Sequence, residues 1–246
     1  MCSDPSNGNV FVTADNRIDE YTHGGTSPIA TLTPPSGDAS LWGCSIDVTT
    51  GNLAVAVSQT NEGPSDNGAV LIFKGAKGSP AIYSDKTMHV YYYCGYDGAG
   101  NLYVVGDGYD KNQQLQPTFT QLPKGSSTFT DFTLNSNIGY VYKVQWDGKY
   151  LAMHADEAIY RVQVSGGTGT IVGVTPLTKS SDDNPASWIQ GNTVIAPYVK
   201  RIGQMPARLG FWKYPAGGKV ASTLGGLRMQ KHDILNDVTV SVAPSR

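Results

Sequence analysis

A short motif of glycine, a polar residue and a run of apolar β-formers occurs five times, and this repetition constrains the fold more than any other feature. The copies are GNVFVTA (8–14), GNLAVAV (51–57), GNLYVVG (100–106), GKYLAMH (148–154) and GNTVIAP (191–197). Successive copies begin 43–49 residues apart, and an aspartate precedes the first four, at Asp4, Asp47, Asp97 and Asp147. Self-similarity at such a spacing is typical of proteins built from stacked structural units.

Each copy of the motif belongs to a predicted unit of four short strands. A segment with apolar residues at every second position follows the motif, and a glycine turn and another β-prone piece come next. A further strand-like piece, such as WGCSID (42–47) or HVYYYCGYD (89–97), precedes the motif. A four-stranded sheet cannot bury both of its faces alone, so neighbouring units must stack on it. Four-stranded units at this spacing predict the blades of a β-propeller.

The sequence therefore predicts an all-β protein, a single β-propeller domain over residues 1–246 with five four-stranded blades. The C-terminal segment DVTVSVAPSR (237–246) resembles the lead-in to the first motif but ends before the glycine. We expect Val238–Ala243 to pair beside Val10–Ala14, so that the two chain ends share one blade and leave no exposed sheet edge. In the alternative, residues 1–4 supply the first strand and the tail is part of a sixth blade.

Composition excludes several classes of partner. The net charge is −2, the isoelectric point is about 6.0 and only 15% of residues are charged, which argues against a nucleic acid or an anionic membrane surface. No apolar run approaches the ~18 residues of a membrane span. The Ser-, Thr-, Asn- and Tyr-rich composition resembles that of secreted bacterial proteins. We therefore expect an extracytoplasmic monomer, whose first residues, MCSDPSNG, do not resemble a leader peptide.

Three widely spaced cysteines do not suggest a disulfide framework or a metal site, because no CxxC or Cys/His ligand spacing occurs. Cys44 and Cys94 each lie three residues before a repeat aspartate, at equivalent positions of neighbouring units. We expect these two to be buried free thiols, and Cys2 to lie in a frayed end.

The stretches DPSNGNVFVTADNRIDEY and DGAGNLYVV resemble the blade motif of NHL/YVTN-type propellers of the gluconolactonase-like superfamily. The resemblance implies a propeller fold for most of the chain. Such families contain binding and scaffolding modules, and also hydrolases and lyases that often hold a metal in the central channel. We assign no cofactor here, with a divalent cation in the channel as the alternative that the resemblance implies.

No catalytic motif stands out: GxSxG, HExxH, a P-loop and an EF-hand loop are all missing from the sequence. If the protein is an enzyme, we expect a channel-metal-dependent lactone or glycan hydrolase or lyase, with His154, Asp156 and His89 as candidate catalytic residues. His154 lies in MHADE beside carboxylates that suit a metal or an acid–base pair. However, ADE aligns with ADN at 14–16, so a turn is the simpler interpretation.

Aromatic residues are the candidate ligand contacts. The tryptophans of the predicted first strands either pack between blades or stack on a ligand. The predicted ligand-binding residues are Trp42, Tyr96, Tyr109, Trp146, Trp188 and Tyr198. Long connections at 57–70, 106–119 and 204–210 follow equivalent second strands, and such loops on a rigid scaffold often bind ligands. The sequence thus favours a non-enzymatic protein that recognises a protein or a glycan; a structural or engineered propeller without a ligand is a further alternative.

Overall fold

A computed structural model describes residues 1–14, 16–35, 40–58, 67–156, 158–178, 186–198, 208–225, 235 and 237–243. Within these ranges the regular structure is β-strand, apart from a short 3₁₀ turn at Lys74–Ala76. None of the helical structure in them is long and apolar enough to cross a membrane. The chain divides into two compact units, Met1–Thr133 with Ser165–Thr168 and Ser241–Arg246, and Leu134–Val164 with Gly169–Val240.

The first unit holds three antiparallel meanders, in each of which four consecutive strands pair in chain order. The first meander consists of β1 (Cys2–Ser3), β2 (Val10–Ala14), β3 (Arg17–Tyr21) and β4 (Ala30–Leu32). The second consists of β5 (Leu41–Ile46), β6 (Leu53–Val57), β7 (Ala69–Phe73) and β8 (Ala81–Tyr83). The third consists of β9 (Met88–Tyr96), β10 (Leu102–Tyr109), β11 (Leu115–Leu122) and β12 (Thr130–Leu134).

The second unit holds two further meanders. One consists of β13 (Val141–Trp146), β14 (Leu151–Ala155), β15 (Ala158–Ser165) and β16 (Thr168–Thr178). The strands that follow are β17 (Trp188–Gln190), β18 (Thr193–Tyr198), β19 (Arg208–Lys213), β20 (Gly218–Lys219) and β21 (Ser222–Leu224). The last meander has the order β17-β18-β19-β21, while β20 pairs in parallel with the end of β16.

The predicted strand pattern is confirmed, because every glycine motif leads into the second strand of a meander: β2, β6, β10, β14 and β18. The repeat aspartates close the turns before these strands, as expected. Asp47 accepts hydrogen bonds from the amide and hydroxyl of Thr49 and from the hydroxyl of Thr50. Gly51 follows at φ +73°, a conformation that favours glycine, and donates its amide to the Asp47 carbonyl. Local side-chain bonds of this kind fix where one strand ends and the next begins.

The core lies between stacked meanders. Strand β6, LAVAV, is buried along its whole length, with alternate residues in two different clusters. Leu53 and Val55 share a cluster with Phe11 and Ile18 of the first meander. Ala54 and Ala56 share another with residues of the third meander, Tyr91, Cys94 and Leu102 among them. In the second unit, Ala152 and Val194 belong to one cluster that likewise joins the two meanders there.

The expected closure by the C-terminus is wrong. The edge of β2 is occupied by β1, with Cys2 opposite Phe11 and Ser3 opposite Val10. Residues 237–243 form no strand; Ser241 instead donates a hydrogen bond to the Gly8 carbonyl. The physical reason is local: Asp4 and the turn after it form a tight hairpin, so the nearest segment of chain fills the edge. The first strand is the one expected in the alternative scheme.

The cysteine prediction is confirmed for Cys94, which is buried and outside the disulfide, but it is wrong for Cys2 and Cys44. Cys2 and Cys44 form a disulfide, with Cα atoms 5.6 Å apart. Because β1 pairs with β2, Cys2 is not at a frayed end: it is buried in the same cluster as Cys44. The disulfide therefore links the N-terminal edge strand to the first strand of the second meander.

One predicted long loop proves to be mostly strand. Within 106–119, β10 continues to Tyr109 and β11 begins at Leu115, leaving a turn at 110–114. The Asp110 carboxylate closes this turn by accepting the amides of Asn112 and Gln114. Other predicted features lie outside the described residues: Asp15, most of the 57–70 connection, Glu157 and residues 204–207.

We predict that Cys2→Ser lowers the free energy of unfolding by about 2–4 kcal/mol, because the cross-link spans a long segment of chain. Urea denaturation of both proteins measures the difference. Alkylation of the unfolded, unreduced wild-type protein should label Cys94 alone, and prior reduction should expose three thiols. Labelling of all three without reduction would contradict the disulfide.

Candidate binding site

An aromatic cluster of Trp42, Tyr92 and Tyr93 lies where β5 meets β9. The Trp42 ring centroid is 5.2 Å from that of Tyr92 and 6.1 Å from that of Tyr93, and both pairs are edge-on. The close approach depends on Gly43, where a Cβ atom would lie 2.7 Å from Cδ1 of Tyr93. Trp42 remains 40% exposed. The cluster thus presents an indole whose position is set by two tyrosine rings.

Two successive irregularities in the β9–β10 pairing adjoin this cluster. Opposite Val105 and Gly106 the partners are Tyr93 and Tyr91, so Tyr92 is an extra residue on β9. Opposite Asp107 and Gly108 the partners are Val90 and Met88, so His89 is a second extra residue. Extra residues of this kind bend a strand and redirect its side chains, and they are frequent beside active sites.

Glycines make the irregular pairing possible. A Cβ atom at Gly106 would collide with the Val90 carbonyl oxygen, and one at Gly108 would collide with the Thr87 carbonyl oxygen. The strand can therefore approach β9 here only because both residues lack a side chain. The residue held between these two glycines is Asp107.

Asp107 is a buried carboxyl group, only 4% exposed, that has few hydrogen-bond donors. Among the described residues its hydrogen bond comes from the Tyr92 hydroxyl, 3.1 Å from Oδ2. Burial raises the pKa of Asp107 above its usual value, and the Tyr92 hydrogen bond opposes this only in part. An ionised carboxylate has about four acceptor positions, so Asp107 has capacity for further donors.

The outer ends of β9 and β10 add an imidazole and a second exposed ring. Nδ1 of His89 is 2.8 Å from Oδ1 of Asn67, and the His89 ring centroid is 4.9 Å from that of Tyr109. Tyr109 is 51% exposed. We call the set Trp42, His89, Tyr92, Asp107 and Tyr109 the β9–β10 site. It combines exposed aromatic surface with a buried acceptor and an oriented imidazole.

Tyr96, another predicted ligand contact, lies elsewhere in the first unit. It is buried at the end of β9, and its amide donates to the Ser45 hydroxyl. Burial raises its pKa, as expected for a phenol in apolar surroundings. It lines a cavity of about 340 Å³ with, among others, Tyr83 and Lys124. Tyr96 is therefore distinct from the β9–β10 site.

The predicted aromatic contacts of the second unit do not converge. Trp188 lies 5.9 Å from the Lys143 ammonium, and Tyr198 contacts Trp212 with ring centroids 6.2 Å apart. Trp146 is half-buried at the end of β13, opposite Leu151. Among the described residues of this unit, no ring contact joins Trp146, Trp188 and Tyr198 to one another.

The catalytic candidates do not form a hydrogen-bonded set. His154 on β14 is 2% exposed, and neither ring nitrogen has a hydrogen-bond partner among the described residues. Asp156 is exposed in the turn after β14, at φ +47°. His89 bonds to Asn67 instead of a carboxylate. The part of the chain that the structure describes also contains no cluster of three His, Cys, Asp or Glu residues suited to a metal ion.

A buried ion pair adjoins His154. Lys143, opposite His154 in the β13–β14 pairing, is buried, and its ammonium lies 3.1 Å from a carboxylate oxygen of Asp237. Burial alone would raise the pKa of Asp237, but the Lys143 charge contributes to holding it below the usual value. Protonated His154 would add a second positive charge beside Lys143. Burial lowers the pKa of His154 to about 4, although the Asp156 backbone has a smaller effect that raises the pKa. The imidazole is therefore neutral at pH 7.

No protein-family model matches the sequence of this chain, and no curated protein does. Solved structures do match. One chain of a nidogen–laminin complex is 14% identical, with a TM-score of 0.68 over 99% of this chain and 84% of that one. A putative TolB from Agrobacterium tumefaciens is 14% identical, with a TM-score of 0.59 over 91% and 81%. These neighbours are β-propeller proteins. The chain has a propeller-like fold.

A Hadza microbial sialidase is a third neighbour, 12% identical with a TM-score of 0.58 over 91% of this chain and 57% of the sialidase. At these identities the likeness shows the propeller-like fold alone. The neighbours thus agree with the architecture predicted from the repeat, and they assign no residue of the β9–β10 site.

The sequence of this propeller-like protein predicted functional roles for Trp42, His89 and Tyr109, but not for Tyr92 and Asp107. A usable signal was present: GDG (106–108) puts two glycines inside a strand, where glycine often marks a bulge or a close approach. The run Tyr91-Tyr92-Tyr93 breaks strict alternation at the same place, which indicates an extra residue in β9.

We predict that stability falls in acid because His154 is neutral in the folded protein. Above about pH 6.5 the imidazole is neutral in both states, and the stability is fully present. As the pH falls from 6.5 towards 4, the unfolded chain binds a proton that the folded chain does not, and the free energy of unfolding decreases by up to about 3 kcal/mol.

Urea denaturation at several pH values measures this loss. In His154→Leu the decrease between pH 6.5 and 4 should be smaller than in the wild type. The matched control is His23→Gln, at an exposed position, which should keep the wild-type dependence. Equal slopes for His154→Leu and the wild type would contradict the assignment.

Proposed function

We propose that this protein is a non-enzymatic propeller-type binding protein, which recognises a protein or glycan ligand through the β9–β10 site. The observation that carries this proposal is the exposure of Trp42 and Tyr109. Trp42 packs on Tyr92, which hydrogen-bonds the buried Asp107, and Tyr109 follows Asp107 by two residues on β10. Both rings are held by contacts with neighbouring rings, so little side-chain entropy is lost when a ligand packs on them. Anchored aromatic residues of this type frequently dominate binding energy.

We also propose that the five meanders are the blades of a five-bladed propeller of the NHL/YVTN type. The shared aspartate turns support this proposal, since those of Asp4, Asp47, Asp97 and Asp147 all close the connection between first and second strands. Each meander also has four strands. An experimental structure with a sixth sheet in the ring would contradict it.

An extracytoplasmic location fits the covalent structure. The Cys2–Cys44 disulfide would persist in an oxidising compartment and is uncommon in reducing ones. The likeness to a chain from the nidogen–laminin complex, a protein–protein assembly, is compatible with a protein ligand. We propose that the chain binds its ligand as a monomer and without a metal ion, so chelation with EDTA should leave binding unchanged.

We predict that Trp42→Ala weakens ligand binding at least tenfold, since a central aromatic anchor contributes more than about 1.4 kcal/mol. The protein is applied to a glycan array and to an array of purified extracellular proteins, and each hit is then measured by titration. Tyr140→Ala is the matched control, because Tyr140 is 56% exposed and lies in the second unit.

The control should bind like the wild type. Equal losses in both variants, or wild-type binding by Trp42→Ala, would contradict the proposed surface. An absence of hits on both arrays would contradict the proposed function itself.

A further inference from the structure

The backbone around Asp107 is organised in a way that stability alone does not require. Two extra residues on β9 and two glycines on β10 interrupt regular pairing within a few residues of each other. The residue placed at this point is a carboxyl group in a buried position, which costs free energy unless it is well hydrogen-bonded. Local departures of this kind from good folding chemistry concentrate at functional sites.

Other buried carboxylates of the same unit accept more hydrogen bonds than Asp107 does. Asp97 accepts the amides of Ala99 and Asn101, the side-chain amide of Asn101 and the hydroxyl of Tyr103. Asp47 accepts three hydrogen bonds from two threonines. Asp107 has a single donor, Tyr92, among the described residues. The difference marks Asp107 as an acceptor that can take donors from a bound molecule.

Two exposed aromatic rings are connected to this acceptor through residues of β9 and β10. Tyr92 connects Asp107 to Trp42, since its hydroxyl binds Asp107 while its ring packs against Trp42. Tyr109 lies two residues after Asp107 on the same strand, and its ring contacts His89. A ligand that reaches Asp107 would therefore meet one or both of the exposed rings.

The chemistry of these groups distinguishes between two kinds of small ligand. The rings of Tyr92 and Tyr93 each meet the Trp42 ring edge-on, so these three residues do not form the aromatic cage that encloses a quaternary ammonium ion. A saccharide needs a flat apolar surface for the C–H face of its ring and acceptors for its hydroxyl groups. Trp42 and Tyr109 supply the first, and Asp107 supplies the second.

We propose that the β9–β10 site binds a saccharide, whose hydroxyl groups donate hydrogen bonds to Asp107 while its ring packs on Trp42 or Tyr109. This inference rests on the proposed binding function and specifies its ligand class. Tyr92 is a positioning residue in this arrangement, because its hydroxyl orients the carboxyl group and its ring supports Trp42. The Asp107 carboxyl is the group that determines specificity for hydroxyl donors.

The test uses the full chain and a glycan array of neutral and acidic oligosaccharides, followed by titration with the oligosaccharide that binds best. We expect Asp107→Asn to weaken binding at least tenfold and Tyr92→Phe to weaken it a few-fold. Asp131→Asn is the matched control, at an exposed aspartate of β12, and should bind like the wild type. Asp107→Asn should melt at the wild-type temperature or above, whereas a merely structural carboxyl would lose stability on this change.

The outcomes separate this inference from the proposed function. Protein hits without any glycan hit would leave a binding protein and overturn the saccharide ligand. Glycan hits that Asp107→Asn does not weaken would overturn the role of Asp107. If that variant does not fold, the double variant Trp42→Ala, Tyr109→Ala, at two exposed positions, replaces it: loss of glycan binding supports the site, and unchanged binding contradicts it.

Discussion

The architecture depends on strands that are buried on both faces. In β6 the alternating large and small residues of LAVAV match different neighbours: Leu53, Val55 and Val57 fill the space towards the first meander. Ala54 and Ala56 leave room on the other face for bulky residues of the third meander, such as Tyr91 and Tyr96. A change of side-chain volume on either face would therefore disturb the packing of two sheets, since protein interiors are closely packed.

In this packing, the central strands form the core, whereas turns and strand ends hold exposed and hydrogen-bonded polar residues. Because the faces of central strands such as β6 are occupied by core residues, the exposed rings of Trp42 and Tyr109 lie on a first strand and at a strand end. In the first four meanders, the turn between the first and second strands is closed by a repeat aspartate whose carboxylate accepts several local hydrogen bonds, as at Asp47 and Asp97. Carboxylates in those turns stabilise the backbone and have little capacity left for other partners.

The β9–β10 site differs from the repeat where the third meander departs from regular pairing. Glycines at 106 and 108 allow β10 to approach β9, and the extra residues Tyr92 and His89 are turned out of the ordinary alternation. Among the described residues, one donor then reaches the buried Asp107, in surroundings that raise its pKa. His154 shows a different effect of burial: its imidazole, enclosed in a core strand, is neutral, and neither ring nitrogen has a hydrogen-bond partner in the part of the chain that the structure describes.

The sequence by itself determined the strands, their order within each meander and the role of the repeat aspartates, because alternation, glycine position and turn capping are local properties of the chain. It also identified Trp42 and Tyr109 as candidate ligand contacts, and His89 as a candidate catalytic residue, from residue type and position. It offered the edge pairing of β1 only as an alternative, and it did not predict the Cys2–Cys44 disulfide or the junction of Tyr92 with Asp107. The disulfide and the junction depend on which separate strands meet, and the junction also depends on two one-residue irregularities in the β9–β10 register that reverse the direction of the side chains. Because a shift of one residue moves a side chain to the opposite face of a sheet, only the tertiary structure could decide where Asp107 and its neighbours lie.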